Sequence, residues 1–399
     1  MNSKWCIGIV GSGKMGSGIA EYLSGFDIDI VWIVRTDAAI EEKAAWLRKK
    51  ITRLIKTGLL PDMSAYSKMQ MVEITKDFNS LSKVNLVIEC CTEDPDIKRD
   101  VFSQVVQFAG DNTLLLSNTS SIPLRLIFRD TDPERSAGMH FFYPVQIKKY
   151  VEINTLIENS SVTLNTIKDF LKFIDREALI LNENEHFALN RLFLPYLAQA
   201  CRCIQEYGLD IGDIDKIVED KMFYIGPFRF MDSVGIHIMY ESVRRYTDSY
   251  MSNQFFGALD EKLGQLLDIQ NKLNVKTSGF HANQDKSDTK KEYRVNSLKY
   301  DERLLKAANS MKAVFVNSFY KDADNGYADR SVLIDAVSEY MGLSAEMEKT
   351  LFSCSDMSIA ETLTELYRSD NCPEYEVSSV IVKQLQNNTF KIENARSIQ

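Results

Sequence analysis

Apolar residues in the first half of the chain follow two alternating rhythms. Short runs that are apolar nearly throughout, at Lys4–Val10, Ile28–Val34, Asn85–Cys91 and Thr113–Ser117, read as strands covered on both faces. Another strand is predicted near Val72–Thr75. Between these runs, apolar residues recur every three or four positions, which predicts helices. One carries Met15, Ile19, Ala20 and Leu23; a charged helix over Ala38–Leu60 pairs with Ser64–Met71; another covers Asp96–Phe108. Strands alternating with helices predict an α/β domain built on a doubly wound parallel sheet. The rhythm continues with strand-like Tyr150–Ile153, a helix over Leu164–Ile174 and a strand over Ala178–Leu181.

From Phe187 to Tyr207 the spacing becomes that of a long, strongly apolar core helix, followed by a helix over Leu209–Ile217 and a turn at Gly226–Gly235 that feeds another. His281–Lys299 is polar and nearly devoid of aliphatic residues, as a linker should be. Helical spacing returns from Asp301 to Leu385. The expected division is therefore an α/β domain over 1–183, a helical domain over 184–280, a linker over 281–300 and a further helical unit over 301–399.

Composition adds exclusions. At 399 residues the chain exceeds one ordinary core, and 45% hydrophobic with 26% charged residues suits a folded protein. A net charge of −9, without a basic cluster interleaved with aromatics, argues against a nucleic-acid surface. No apolar run approaches the roughly 18 residues a membrane span needs. The opening MNSKW runs straight into a strand pattern, so no leader is expected there. Seven irregularly spaced cysteines with no Cys-x-x-Cys predict reduced thiols in a cytoplasmic protein, and no metal site.

The chemistry begins at Gly11-Ser12-Gly13-Lys14-Met15-Gly16, set between a predicted strand and a predicted helix. In that context Gly11 allows the tight turn, Gly13 lets a pyrophosphate approach, and Gly16 lets the helix pack closely. The helix N-terminus then offers unpaired N–H groups and a positive dipole end to phosphates. A dinucleotide is the implied cofactor. About 20 residues past the glycines, where an acidic residue would accept the ribose hydroxyls of NAD, stands Arg35. Its guanidinium suits the 2′-phosphate of NADP; Asp37 is the alternative that would keep NAD. Two strand ends are also rich in polar groups, Glu89–Asp94 and Ser117–Pro123. In the second, Asn118 and its hydroxyl neighbours suit cofactor, substrate or a helix cap. Finally, Gly138–Glu152 holds His140 among Met139, Phe141, Phe142 and Pro144, with Glu152 twelve residues on. A histidine held against a carboxylate beside a hydride acceptor is a proton-transferring pair.

These motifs, in this order, resemble the 3-hydroxyacyl-CoA dehydrogenase family over roughly residues 5–280. The matching pieces are VGSGKMGSGIA, IECCTEDPDIKRDVF, LSNTSSIP, GMHFFYPV followed by VE, NRLFLPYL, IGPFRFMDSVG and KTSGF. The resemblance implies a Rossmann-type domain followed by all-α C-terminal structure, NAD or NADP as cofactor, and an acyl-CoA substrate. It implies His140 as catalytic base and acid, Glu152 as its partner, and Ser120 and Asn190 as residues that position the reacting oxygen. Glu93 matches a second carboxylate near the nicotinamide end, and Lys98 a basic residue near the cofactor. Glu152 would fix the histidine's tautomer and stabilise its charged form. An acyl-carrier-protein thioester or another hydroxy acid is the alternative substrate, and a non-catalytic nucleotide-binding protein the alternative class.

The chain also departs from the family pattern. Tyr143 stands where an Asn is usual, Glu185-His186 where Pro-Gly is usual, and Arg35 where an acidic residue is usual. Residues 301–399 extend beyond single-function members, and RLLKAANSMKAVFVNSFY resembles the outline of RLFLPYLAQACRCIQEYG. Single-copy relatives pair through this domain into homodimers. A tandem copy in one chain would cover the same surface and leave a monomer.

Overall fold

The computed structural model describes residues 4–56, 71–182, 187–249, 253–273, 279–281, 301–352 and 357–386. It divides into two compact units, Met1–Phe187 and Ala188–Gln399. The helix expected over Ser64–Met71, the departure at Glu185-His186, the 183/184 boundary and nearly all of the linker lie outside the described residues, apart from Met71 and His281.

The first unit is one eight-stranded sheet in the order β3-β2-β1-β4-β5-β6-β7-β8. The strands are β1 (Trp5–Val10), β2 (Ile28–Ile33), β3 (Val72–Thr75), β4 (Leu86–Glu89), β5 (Leu114–Ser117), β6 (Ser136–Phe141), β7 (Tyr150–Asn154) and β8 (Glu177–Leu181). β1 through β6 run parallel, β7 runs antiparallel to β6, and β8 runs parallel to β7. The inner parallel strands are largely buried because helices cover each side, whereas β3, at the sheet's edge, has no buried residue. Successive side chains alternate between those faces. Ile7, Ile9, Ile30, Trp32, Ile88 and Met139 meet α1 (Lys14–Leu23) and α5 (Ser161–Phe173). Val10, Val31, Ile33, Val87 and Leu115 meet α3 (Pro95–Phe108) and the short α4 (Leu124–Ile127). The charged α2 (Asp37–Lys56) buries Leu47 and Ile51.

Local chemistry sets the helix starts. Asp94 accepts from the Asp96 and Ile97 amides at 2.9 and 3.0 Å, with Pro95 at the first helical position. Ser160 accepts from the Thr163 amide at 3.1 Å to start α5. α1 is different, since its N-cap residue is Gly13 and no side chain caps it.

The second unit is helical. It runs α6 (Ala188–Tyr207), α7 (Ile211–Lys221), α8 (Pro227–Val234), α9 (Ile236–Ser249), α10 (Asn253–Leu273), α11 (Glu302–Asp324), α12 (Arg330–Met341), α13 (Ala345–Leu351) and α14 (Met357–Asp370). α11 packs antiparallel along α6. Arg191 meets Asp322 at 2.5 Å at one end, Gln199 donates to Ser310 at 3.3 Å in the middle, and Arg303 donates to the Tyr207 carbonyl at 3.2 Å at the other. Phe193, Tyr196, Phe223 and Phe315 fill the space between, with ring centroids 5.1–6.4 Å apart. The apolar face of α6 is thus packed against α11.

At the end of the first helical stretch, His281 sits between two carboxylates. Its Nε2 is 3.0 Å from Asp215 and its Nδ1 is 2.8 Å from Asp232. Asp215 is fully buried and also accepts from the Phe228 and Arg229 amides that begin α8. Hydrogen bonds to Asp215 and then Asp232 push the His281 pKa up to about 9.

Candidate functional site

Register gathers most of the expected site residues at the carboxyl-end side of the sheet. Val10 pairs with Ile33 and Glu89, Glu89 with Ser117, and Ser117 with Gly138. Gly11, Arg35, Cys91, Asn118 and His140 therefore all lie at or just past carboxyl ends of parallel strands. The order reverses between β1 and β4, and ligands of such sheets bind at that switch point.

The glycine turn is built for close approach. Gly11 has φ 116°, and a Cβ there would lie 2.6 Å from the Cys90 carbonyl oxygen. A Cβ on Gly16 would lie 2.3 Å from the Gly11 oxygen. Gly13 has no such neighbour within 4 Å; the space before the uncapped helix is open. Trp32, wholly buried, donates from Nε1 to the Gly11 carbonyl at 2.8 Å and fixes the turn from beneath. These features fit a dinucleotide diphosphate, with the N–H groups of Lys14, Met15 and Gly16 as donors. Met15, beside the core, is partly buried, and Lys14 is exposed with its ammonium 3.8 Å over the Tyr143 ring.

Arg35 is exposed just past β2. Asp37, the alternative partner for a ribose, is paired with Lys76 at 2.6 Å.

At the ends of β4 and β5 stands a buried ionic network. Glu89 has no exposed surface and Lys98 is 1% exposed. The Lys98 ammonium donates to both Glu89 oxygens at 2.9 and 3.0 Å and lies 3.3 Å from Glu93. Glu89 also accepts from Ser117 Oγ at 2.6 Å and from the Cys91 amide at 2.5 Å. Burial alone would lower the Lys98 pKa, but Glu89 and then Glu93 outweigh it and hold it above the usual lysine range. The Cys91 thiol is pushed up to about 12, by burial first and Glu89 second, so it is no nucleophile. Glu93 gathers the next turn: one of its oxygens accepts from Thr119 Oγ1 at 2.6 Å, the Ser120 amide at 2.9 Å and the Ser121 amide at 3.1 Å. Ser120 Oγ is 3.4 Å from the same oxygen. Asn118 accepts from the Phe141 amide at 2.9 Å, which ties this turn to the residue after His140.

His140 and Glu152 are directly opposite in the antiparallel β6–β7 ladder, so both point to the same face. His140 Nδ1 is 2.7 Å from Glu152 Oε2; the carboxylate is fully buried and the imidazole 14% exposed. Phe142 and Phe187 pack edge-on to the imidazole, with centroids at 4.9 and 5.1 Å. With Nδ1 engaged, Nε2 is the nitrogen that faces away from Glu152 and can exchange a proton. Asn190 belongs to the second unit, on the first turn of α6. Among the described residues no cluster of His, Cys, Asp and Glu could hold a metal ion, and no helix is long and apolar enough to cross a membrane.

Four contributors escaped the sequence reading: strand β6, Glu89 as the partner of Lys98, Trp32 under the glycine turn, and Phe187 against His140. Glu89 had a signal, since an acidic residue closing a fully apolar strand must find a partner. Phe187, from 47 residues along the chain, had none.

Comparison with known proteins gives the family. Residues 6–184 match the model of the 3-hydroxyacyl-CoA dehydrogenase NAD-binding domain, and residues 187–278 that of the family's C-terminal domain. The chain belongs to the 3-hydroxyacyl-CoA dehydrogenase family. It is accordingly an oxidoreductase with an NAD-binding domain. Within the family, 3-hydroxybutyryl-CoA dehydrogenase of Mycobacterium tuberculosis is 30% identical over 234 residues, 58% of this chain and 82% of the relative. Mitochondrial hydroxyacyl-coenzyme A dehydrogenase of Homo sapiens is 28% identical over 236 residues, 57% of this chain and 75% of the relative. The solved 3-hydroxybutyryl-CoA dehydrogenase of Escherichia coli K12 has a TM-score of 0.81 at 16% identity. Its match covers 98% of this chain and 100% of that one, so the fold likeness extends through the C-terminal helices.

Proposed function

We propose that the protein interconverts an L-3-hydroxyacyl-CoA and the corresponding 3-oxoacyl-CoA, with His140 as the proton carrier. The observation that carries this reading is the His140–Glu152 pair at 2.7 Å, at the side of the sheet that also holds the open glycine turn. The bound nicotinamide supplies the hydride acceptor or donor. His140 Nε2 takes the hydroxyl proton in oxidation and returns it in reduction. Glu152, unable to reach solvent, fixes the tautomer through Nδ1 and stabilises the imidazolium as it forms. Ser120, held by its amide to Glu93, hydrogen-bonds the reacting oxygen while its charge changes; the same role for Asn190 rests on the family pattern. Glu89 and Lys98 act through Glu93, as the support that keeps the Ser120 turn in place.

For the cofactor, Arg35 favours NADP. No acidic residue stands at the end of β2, and Lys76 neutralises Asp37, so the neighbourhood carries surplus positive charge for a 2′-phosphate. The chain acts as a monomer, because α11 covers the face of α6. Its described cysteines are free thiols, as a reducing compartment such as the cytoplasm maintains them.

The test is a matrix of NADH and NADPH against acetoacetyl-CoA and longer 3-oxoacyl-CoAs, followed by nicotinamide absorbance. Turnover with at least one pair, lower kcat/KM with NADH than with NADPH, and a loss of roughly 10²–10⁴-fold in His140→Ala are expected. Wild-type rates retained by His140→Ala would overturn the assignment.

A further inference from the structure

The segment that follows β6 is laid along α1. Positions 14, 18 and 21 share one face of that helix, and each meets this segment in turn. The Lys14 ammonium lies 3.8 Å over the Tyr143 ring. A Cβ on Gly18 would lie 3.3 Å from Val145, whose side chain is 1% exposed. Gln146 donates to Glu21 at 3.0 Å. The last two contacts fasten the segment, and the first lies at the open end of the helix. Tyr143 is 50% exposed there. Neither packing nor solubility calls for a large ring in such a place, and the residue usual in the family, Asn, has no π face to offer a cation.

A lysine at the first position of a helix ordinarily wanders, because its four-carbon stem has many rotamers and its charge is repelled by the helix's positive end. Here the ring supplies a counter-attraction that keeps the ammonium beside the glycine turn. We propose that Tyr143 is a positioning residue for the cofactor: its ring holds the Lys14 ammonium at the mouth of the glycine turn, where it adds a positive charge for the dinucleotide's diphosphate. The proposal rests on the dehydrogenase reading and deepens it. It also gives the departure at Tyr143 a purpose, set three residues from His140 yet directed at the cofactor.

Two measurements on the full chain test it. The first is direct titration of wild type and variants with NADH and NADPH, read by nicotinamide fluorescence without acyl substrate. The second is steady-state reduction of acetoacetyl-CoA. Lys14→Met and Tyr143→Asn should each raise the cofactor Kd and KM roughly 3- to 10-fold, while kcat stays within about twofold. Tyr143→Phe, which keeps the ring, should bind as wild type does. The Lys14→Met/Tyr143→Asn double variant should be no weaker than Lys14→Met alone. Added salt should weaken wild-type binding more than that of Lys14→Met. An unchanged cofactor Kd in Lys14→Met, or a Tyr143→Phe variant as weak as Tyr143→Asn, would overturn the proposal. If wild type binds dinucleotide but turns over no acyl-CoA, the substrate reading fails while the fluorescence series still decides this one. If it binds no dinucleotide, both fall.

Discussion

Among the described residues Lys98 is the only cation bonded to Glu89, so Lys98→Met strips the pair from a carboxylate that has no exposed surface. Ser117 and the Cys91 amide still donate to it, but neither carries a charge. Breaking one side of a buried ion pair costs about 3–5 kcal/mol, a large part of the roughly 5–15 kcal/mol that holds a domain folded. All three tryptophans, Trp5, Trp32 and Trp46, lie in the first unit, so their fluorescence during urea unfolding follows that unit alone. With a slope near 2–3 kcal/mol per M, the midpoint should fall by about 1–2.5 M. Glu89→Gln should fall less, because Lys98 keeps Glu93 at 3.3 Å. Glu89→Gln/Lys98→Met, which leaves no uncompensated charge at this pair, should be more stable than Lys98→Met. A midpoint for Lys98→Met within about 0.3 M of wild type would refute the claim that the pair is buried and mutually dependent.

Two further outcomes follow from the same reasoning. Glu152→Gln should keep the fold and cofactor affinity but lower kcat about 10²-fold or more, since the amide cannot stabilise the imidazolium; stopped-flow reduction of acetoacetyl-CoA by the nicotinamide reads this directly. For His281, the folded pKa is raised from 6.5 to about 9, so its stabilisation is complete below pH 6.5 and is lost as pH rises through 9. Far-ultraviolet circular dichroism melts should show the second unit weakening across that window in wild type, with a flatter profile in His281→Gln.

Much of the first unit was legible because parallel strands announce themselves. The runs closed by Val10, Val34, Cys91 and Ser117 are apolar nearly throughout for want of a wet face, and each became a strand within a residue or two of its expected ends. The glycine turn was legible through its setting between β1 and α1. Less visible was whatever depends on a distant partner. Ser136–Phe141 opens on three small residues and holds a histidine, and only pairing with β5 and β7 makes it a strand. Lys98 looks like any lysine on a charged helix until the end of β4 delivers Glu89 beside it. In the second unit, helical spacing after Asp301 was plain, but the pairing of α11 with α6 is a matter of complementary surfaces far apart in sequence. His281, in the first residue of a polar stretch, gave no sign of its two carboxylates.

The antiparallel turn from β6 into β7 has a consequence for how the His140–Glu152 pair can vary. His140 and Glu152 are joined by ladder register, and the twelve-residue separation between them is incidental. The connecting segment could gain or lose residues at its outward tip, near Ile147 at 71% exposure, without parting the two side chains. A single-residue shift within the ladder would instead send one of them to the opposite face of the sheet. Chains that preserve this chemistry are therefore free in loop length and bound in strand pairing, and a search for distant kin should fix the pairing and let the spacing float.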